Sequence, residues 1–188
     1  MACYQLIIAQ DTVLFINGKM LVGKVIEYKP KYISIEVTQG KRLKQKKLDA
    51  KEVFSVKGKD GAPIIIYQQD IANGQTYTAD QMRRFIMGEQ FAMKRYYSPW
   101  ITLGGIVTGA GGGALGFYSL PFPALYTFIM GTHTPTLKKY KDLPDEFKSD
   151  PFFKEGFSNK ASNRKANNAL ISGYSASIAT LIVLVLFR

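Results

Sequence analysis

Cysteine and histidine are almost missing from this chain. Cys3 and His133 are the only ones among its 188 residues. One cysteine forms no disulfide framework or CxxC site within a chain. One histidine, with no carboxylate near it in sequence, does not make the usual zinc site. No serine sits in a nucleophile elbow. Acid is also scarce, with 14 Asp/Glu against 25 Lys/Arg and a net charge of +11. Charge of either sign disappears from two long stretches: from Tyr96 to Leu137 only His133 can carry one, and from Ala166 to Phe187 nothing does. Functional chemistry inside a bilayer is normally marked by intramembrane charge. These absences argue against an enzyme, and the expectation is no catalytic residue, no metal and no cofactor.

What is present is organised around the two uncharged blocks. The basic excess flanks them, with 16 basic and 9 acidic residues up to Arg95 and 8 basic and 5 acidic from Lys138 to Lys165. Basic loops beside a membrane account for that pattern. Ala166–Phe187 ends in the strongly apolar run IATLIVLVLF. At about 1.5 Å per residue the block spans a hydrocarbon core of about 30 Å. The spacing predicts a C-terminal transmembrane helix over residues 168–188. It is preceded by a basic loop and helix start over residues 137–167. Asp150 is the expected N-cap and Pro151 the first helical residue. Phe153 and Phe157 share a face of that helix, while Lys154, Lys160, Arg164 and Lys165 are expected in water, as an anchor at the headgroups.

The first block, residues 99–136, predicts a glycine-rich membrane hairpin. WITLGGIVTGAGGGALGF (Trp100–Phe117) reads as one helix, with Tyr96, Tyr97 and Trp100 as an interfacial aromatic belt. Pro121 and Pro123 break it. The following Pro123–Met130 is about two turns, too short to cross unless it extends. The block therefore crosses twice with short helices, or half-crosses and returns. Gly105, Gly109 and Gly113 recur every four residues, with Gly112 and Gly116 as a parallel row. The C-terminal block has its own small row of Ser172, Ala176 and Thr180, beside Gly173 and Ser177. Such stripes let helix backbones approach closely. The two spans are expected to pack on each other or on copies in a neighbouring chain. A phosphate-binding loop is disfavoured, because Ala114 stands where the third glycine should be and no Lys-Ser/Thr or spaced acid follows.

Residues 1–76 predict a small antiparallel β module. Val13–Ile16, Met20–Tyr28, Tyr32–Val37 and Leu43–Leu48 read as strands, with Asn17-Gly18 as a hairpin signal and Gly23 as a bend or bulge. LDAKEVFSV reads as a helical turn feeding a fifth strand, and Pro63–Gln69 as a sixth. Strands this short and bent suggest an SH3-like or Sm-like barrel, an interaction module. Residues 1–10 are either the remnant of a leader or the first strand. Lys41, Arg42, Lys44, Lys46 and Lys47 make one strand basic. It lacks interleaved aromatics for base stacking, so nucleic acid is disfavoured against an anionic lipid surface or a solvated edge. Residues 77–98 predict an amphipathic linking helix with a Thr78–Gln81 capping box. Its apolar face carries Met82, Phe85, Ile86 and Phe91, and its basic face Arg83, Arg84, Lys94 and Arg95. Lying on the membrane, that helix adds to an anionic-surface site. Glu89 reads as a helix-surface carboxylate paired with Arg.

The stretch QDTVLFINGKMLVGKVIEYKPKYISIEV resembles an N-terminal module of uncharacterised Bacteroidetes envelope membrane proteins. MRRFIMGEQFAMKRYYSPW is similar to their linking helix, with Phe91 where their motif has Asp, and FFKEGFSNKASNRKANNALISG to their lead-in to a last membrane helix. The resemblance implies a bacterial envelope location and an exported β module, but no activity. The expectation as a whole is an α+β membrane protein, with a small SH3-like or Sm-like barrel, an amphipathic helix and two to three membrane helices. It sits in the bacterial inner membrane as a non-enzymatic scaffold or assembly factor. Its partners are lipid and either another protein or its own copies. The alternatives are a small oligomeric channel or transport accessory built on the glycine-rich helices, and a membrane-tethered module for nucleic acid or anionic lipid.

Overall fold

The computed structural model describes residues 11–40, 42–58, 61–119 and 121–187. The expectations for Lys41 and for residues 1–10, Cys3 included, fall outside them. The chain is α+β and divides after Met87 into two compact units.

The first unit is a six-stranded antiparallel sheet with strand order β4-β3-β2-β1-β5-β6. Its strands are β1 (Asp11–Phe15), β2 (Met20–Tyr28), β3 (Tyr32–Gln39), β4 (Arg42–Asp49), β5 (Val53–Lys57) and β6 (Ile64–Ile65). The sheet is open, with β4 and β6 at its edges. The β1–β2 turn uses Gly18 at φ 74°, and the Gly18 amide donates to the Phe15 carbonyl at 3.1 Å. Only glycine reaches that left-handed geometry without strain. Gly23 carries no bulge. A Cβ there would collide with the Glu36 carbonyl and sit 3.0 Å from an Ile35 side-chain carbon, so the glycine serves close approach of β3. The register shift comes later, between Val25 and Glu27, where the Val25 amide donates to Asp11 Oδ2 at 2.8 Å.

A 3-10 turn over Ala50–Glu52, started by Asp49 accepting from the Lys51 amide, carries β4 into β5. Val13, Ile33, Ile35 and Val53 are buried together on one face. The expected sixth strand shrinks to Ile64–Ile65. Pro63 has no N–H to give, and the Ile66 and Tyr67 amides both donate to the Phe54 carbonyl. The chain leaves the ladder there and Tyr67 joins Phe54, Met82 and Ile86 in a second buried cluster.

Helix α1 (Ala79–Arg95) opens on the Thr78–Gln81 box, in which the Thr78 amide donates to Gln81 Oε1 at 2.9 Å and the Gln81 amide to Thr78 Oγ1 at 3.4 Å. Its first turns bury Met82 and Ile86 in the first unit, and its last turns bury Ala92 in the second. That corrects the expectation of a helix lying on the membrane, because the apolar face is already covered by protein.

The second unit continues with α2 (Pro99–Gly113), α3 (Pro121–Thr132), the short α4 (Asp145–Ser149) and α5 (Pro151–Leu186). Among the described residues, α5 alone is long and apolar enough to cross a membrane. The helix expected to run to Phe117 stops at Gly113, and Gly116 turns the chain at φ 70°. With 15 and 12 residues, α2 and α3 reach roughly 22 and 18 Å, short of the hydrocarbon core. The α3 helix folds back along α2, with the Tyr126 hydroxyl donating to the Ile101 carbonyl at 3.1 Å.

Candidate functional site

The second unit is built around one face of α5. The buried positions Phe153, Phe157, Ala161, Lys165, Ala169, Gly173 and Ser177 repeat every four residues. Asp150 starts the helix by accepting from the Phe153 amide at 2.8 Å, ahead of Pro151 at the first position. Alongside it run the end of α1 and then all of α2, in parallel. A Cβ on Gly88 would strike the Phe153 carbonyl and lie 2.8 Å from the Phe157 nitrogen. Further on, a Cβ on Gly105 would strike Ser172, one on Gly109 would strike Gly173, and one on Gly113 would lie 2.8 Å from the Thr180 Cβ. The Ser177 hydroxyl, fully buried, closes the seam by donating to the Gly109 carbonyl at 3.0 Å. From the other side α3 lays Pro123 on Gly173.

The predicted packing residues are therefore distributed unevenly. Gly105, Gly109, Gly112 and Gly113 are buried, Ser172 and Thr180 face them, and Ala176 is half-buried. Gly116 does not belong to the seam. A Cβ there would meet nothing within 4 Å, and its left-handed φ ends the helix. Sequence reasoning missed Gly88, whose signal was its place four residues before the buried Ala92.

The outside of the seam is the reverse of its inside. Large apolar side chains point away from protein, among them Trp100 at 77%, Val107 at 65%, Phe128 at 72% and Val185 at 77% exposure. Only 17% of the most apolar window of α5 is buried. A core helix of a soluble protein would be mostly covered.

At the other end of the unit, Phe91, Tyr140, Phe147, Phe153 and Phe157 form an aromatic cluster with edge and tilted contacts, such as Phe91 on Tyr140 at 5.1 Å. Beside it, in the turn of α1 next to Gly88, lies Glu89. It is 4% exposed, and its Oε2 has no hydrogen-bond partner. Burial pushes its carboxyl up, and Lys160 partly opposes that. The expected surface carboxylate paired with Arg is thus a buried one facing a lysine. Tertiary packing on α5 decides this, and no helical periodicity of α1 alone announces it.

Two cations expected in water are also inside. Lys165 is buried and donates to the His133 carbonyl at 2.8 Å, at the end of α3. Arg164 is half-buried and donates to the Ala92 carbonyl at 3.0 Å and to that of Met93, in the last turn of α1. Both put a cation at a helix C-terminal end, where the dipole favours it, and the Ala92 carbonyl also accepts from the Tyr96 amide at 3.0 Å.

In the first unit, β4 is the sheet edge and Arg42, Lys44, Lys46 and Lys47 are exposed. Lys46 and Lys44 pair with Ile35 and Val37, and so share the core-facing side of the sheet. Charges so placed block pairing of an edge with a further strand. Lys47 lies over the Tyr32 ring at 5.1 Å. Arg83, Arg84, Lys94 and Arg95 are exposed on α1, and Arg95 pairs with Asp142. A groove of about 540 Å³ lies in the first unit between Tyr28, Lys51, Tyr67 and Gln75. No protein-family model, curated protein or solved structure matches the chain.

Proposed function

We propose that this chain is a membrane-anchored scaffold or assembly factor of the bacterial envelope, acting through binding rather than catalysis. The carrying observation is the inversion of the second unit past Lys165, where α2 and α3 pack on α5 with glycine, serine and alanine inside and large apolar side chains outside. Water selects the opposite arrangement, whereas lipid tails solvate Leu and Phe as well as a protein core does. In this reading α5 spans the bilayer, and the α2–α3 hairpin enters beside it and returns to the side it came from. Its non-helical turn, where Leu115 and Tyr118 are exposed, needs cover from another protein at that depth. By chain connectivity the sheet and the segment after α3 are then on the same side of the bilayer. The strand order, with a 3-10 turn between β4 and β5, suits an SH3-like wrap, and the first unit is the interaction module. A helical anchor, as opposed to a β-barrel, favours the inner membrane. Since the glycine seam is filled within the chain, a scaffold is preferred to a channel assembled on those glycines.

The test uses the full chain in cells. Membranes washed with alkaline carbonate should keep the protein, and detergent should release it. Photocrosslinkers placed at exposed positions of the sheet should then capture one recurring partner. A protein released by carbonate would overturn the anchor. Retention without any recurring crosslink from the sheet would overturn the scaffold.

A further inference from the structure

The charged residues of the second unit stop at one level. The end of α1 and the end of α3 meet α5 there, through Arg164 and Lys165, and α3 is tied to the start of α2 by the Tyr126–Ile101 bond. Past this level no described residue of α2, α3 or α5 carries a formal charge. From Lys165 to Leu186 is roughly 30 Å of helix, the depth of a hydrocarbon core.

Just on the charged side, the segment after α3 is pinned by two buried leucines, Leu137 and Leu143. Pinning at both ends fixes what lies between them. Lys138, Lys139 and Lys141 are all exposed. The Lys139 ammonium is held 4.8 Å from the Tyr96 ring centre and 5.1 Å from that of Tyr140. Tyr140 is itself tied to α1, its hydroxyl donating to the Arg95 carbonyl at 3.3 Å. Of the acids that follow, Asp142 pairs with Arg95 and Asp145 with Lys148. Among the described residues, Lys138, Lys139 and Lys141 have no ion-pair partner. Tyr97 and Trp100, at the same level, present exposed amphipathic rings, the side chains that settle at headgroup depth.

We propose that Lys138, Lys139 and Lys141 form a headgroup site for anionic phospholipid, with Tyr96 and Tyr140 holding the central cation in place. This rests on the membrane reading above. It adds a lipid class and a location: the loop leaving the hairpin rather than the basic strand of the sheet. Aromatic faces orient an ammonium without neutralising it, so Lys139 keeps its charge for a phosphate while its tether loses little freedom on binding.

The test takes the full chain in nanodiscs of phosphatidylcholine, with or without phosphatidylglycerol, and counts retained lipid by native mass spectrometry after mild delipidation. Phosphatidylglycerol should be retained selectively, and millimolar inorganic phosphate should not displace it. Changing all three lysines together (Lys138→Gln, Lys139→Gln, Lys141→Gln) should weaken retention roughly a hundredfold, about a factor of five for each lysine at an anionic surface. Lys139→Arg should keep it. Should the triple variant fold poorly, Lys141→Gln alone carries the test, with about a fivefold loss expected. Equal retention of both lipids by the native chain, or unchanged retention by the folded variants, overturns the proposal. A chain that stays dispersed without detergent and never enters nanodiscs instead overturns the membrane reading beneath it.

Discussion

At the scale of single residues, Glu89 is the group whose behaviour depends most on its surroundings. Its carboxyl is buried with one oxygen unpartnered and is pushed up by that burial. A folded-state value above the unfolded one means the proton is held more tightly in the native protein. The associated stability is then complete below the ordinary carboxylate range and is lost as pH rises through the raised value. Glu89→Gln removes the titration and keeps the shape. It should raise the melting temperature at pH 8, worth about 1–3 kcal/mol for an unsatisfied buried polar atom, with the gain shrinking toward pH 4. Thermal unfolding of both proteins across that range checks it; a gain independent of pH would contradict it.

The glycines make a matched pair of predictions. A Cβ at Gly109 would lie 3.0 Å from the Gly173 Cα, while at Gly111 it would meet nothing within 4 Å. Gly109→Ala should cost about 1–3 kcal/mol by forcing α2 off α5. Gly111→Ala should be neutral or stabilise by up to about 1 kcal/mol through helix propensity. The difference in denaturation midpoint between the two variants is the measurement. Sequence spacing could name Gly109 as a contact because a four-residue stripe is visible in one dimension. It named Gly116 for the same reason, and there the backbone conformation decided otherwise. The fates of Glu89, Arg164 and Lys165 were not legible, since each is set by a helix distant in sequence.

At the scale of elements, short-range chemistry was readable wherever it is complete within a few residues. The Thr78–Gln81 box, the Asp150–Pro151 start and the Asn17-Gly18 turn are such cases. Where an element ends was less readable. The end of β6 depends on Tyr67 dropping into the cluster with Phe54, and the early stop of α2 on Gly116. The α5 helix holds two other helices by their C-terminal carbonyls, through Arg164 and Lys165. Lys165→Met should therefore loosen the end of α3 more than its start. Hydrogen exchange should show faster amides near Met130–His133, with an overall loss of about 1–3 kcal/mol. Uniform acceleration throughout the unit would argue that Lys165 acts by general packing instead.

At the scale of the whole molecule, the return of the hairpin makes a statement about sides. The middle of α3 lies beside the start of α2, and His133, just past its end, lies at Lys165. If the proposed insertion is right, Lys31 and Lys141 face the same compartment. With Cys3→Ser as background, Lys31→Cys and Lys141→Cys should react alike with a membrane-impermeant thiol reagent in intact cells. Opposite labelling would mean the hairpin crosses. The sequence left crossing and returning open because the prolines at 121 and 123 mark a break without fixing its direction. The packing of Pro123 on Gly173 and of His133 on Lys165 shows that α3 runs back antiparallel to α5.

The seam joins residues 64 to 68 positions apart, such as Gly109 to Gly173 and to Ser177. During synthesis α2 therefore emerges long before the surface it fits. A helix with this many glycines has weak intrinsic stability, and its bare small-residue face offers neighbouring proteins the same close approach that α5 will later take. Until α5 arrives, that face is open to wrong partners. Chains cut short before Ala169 should linger with it uncovered and be the ones that membrane proteases remove.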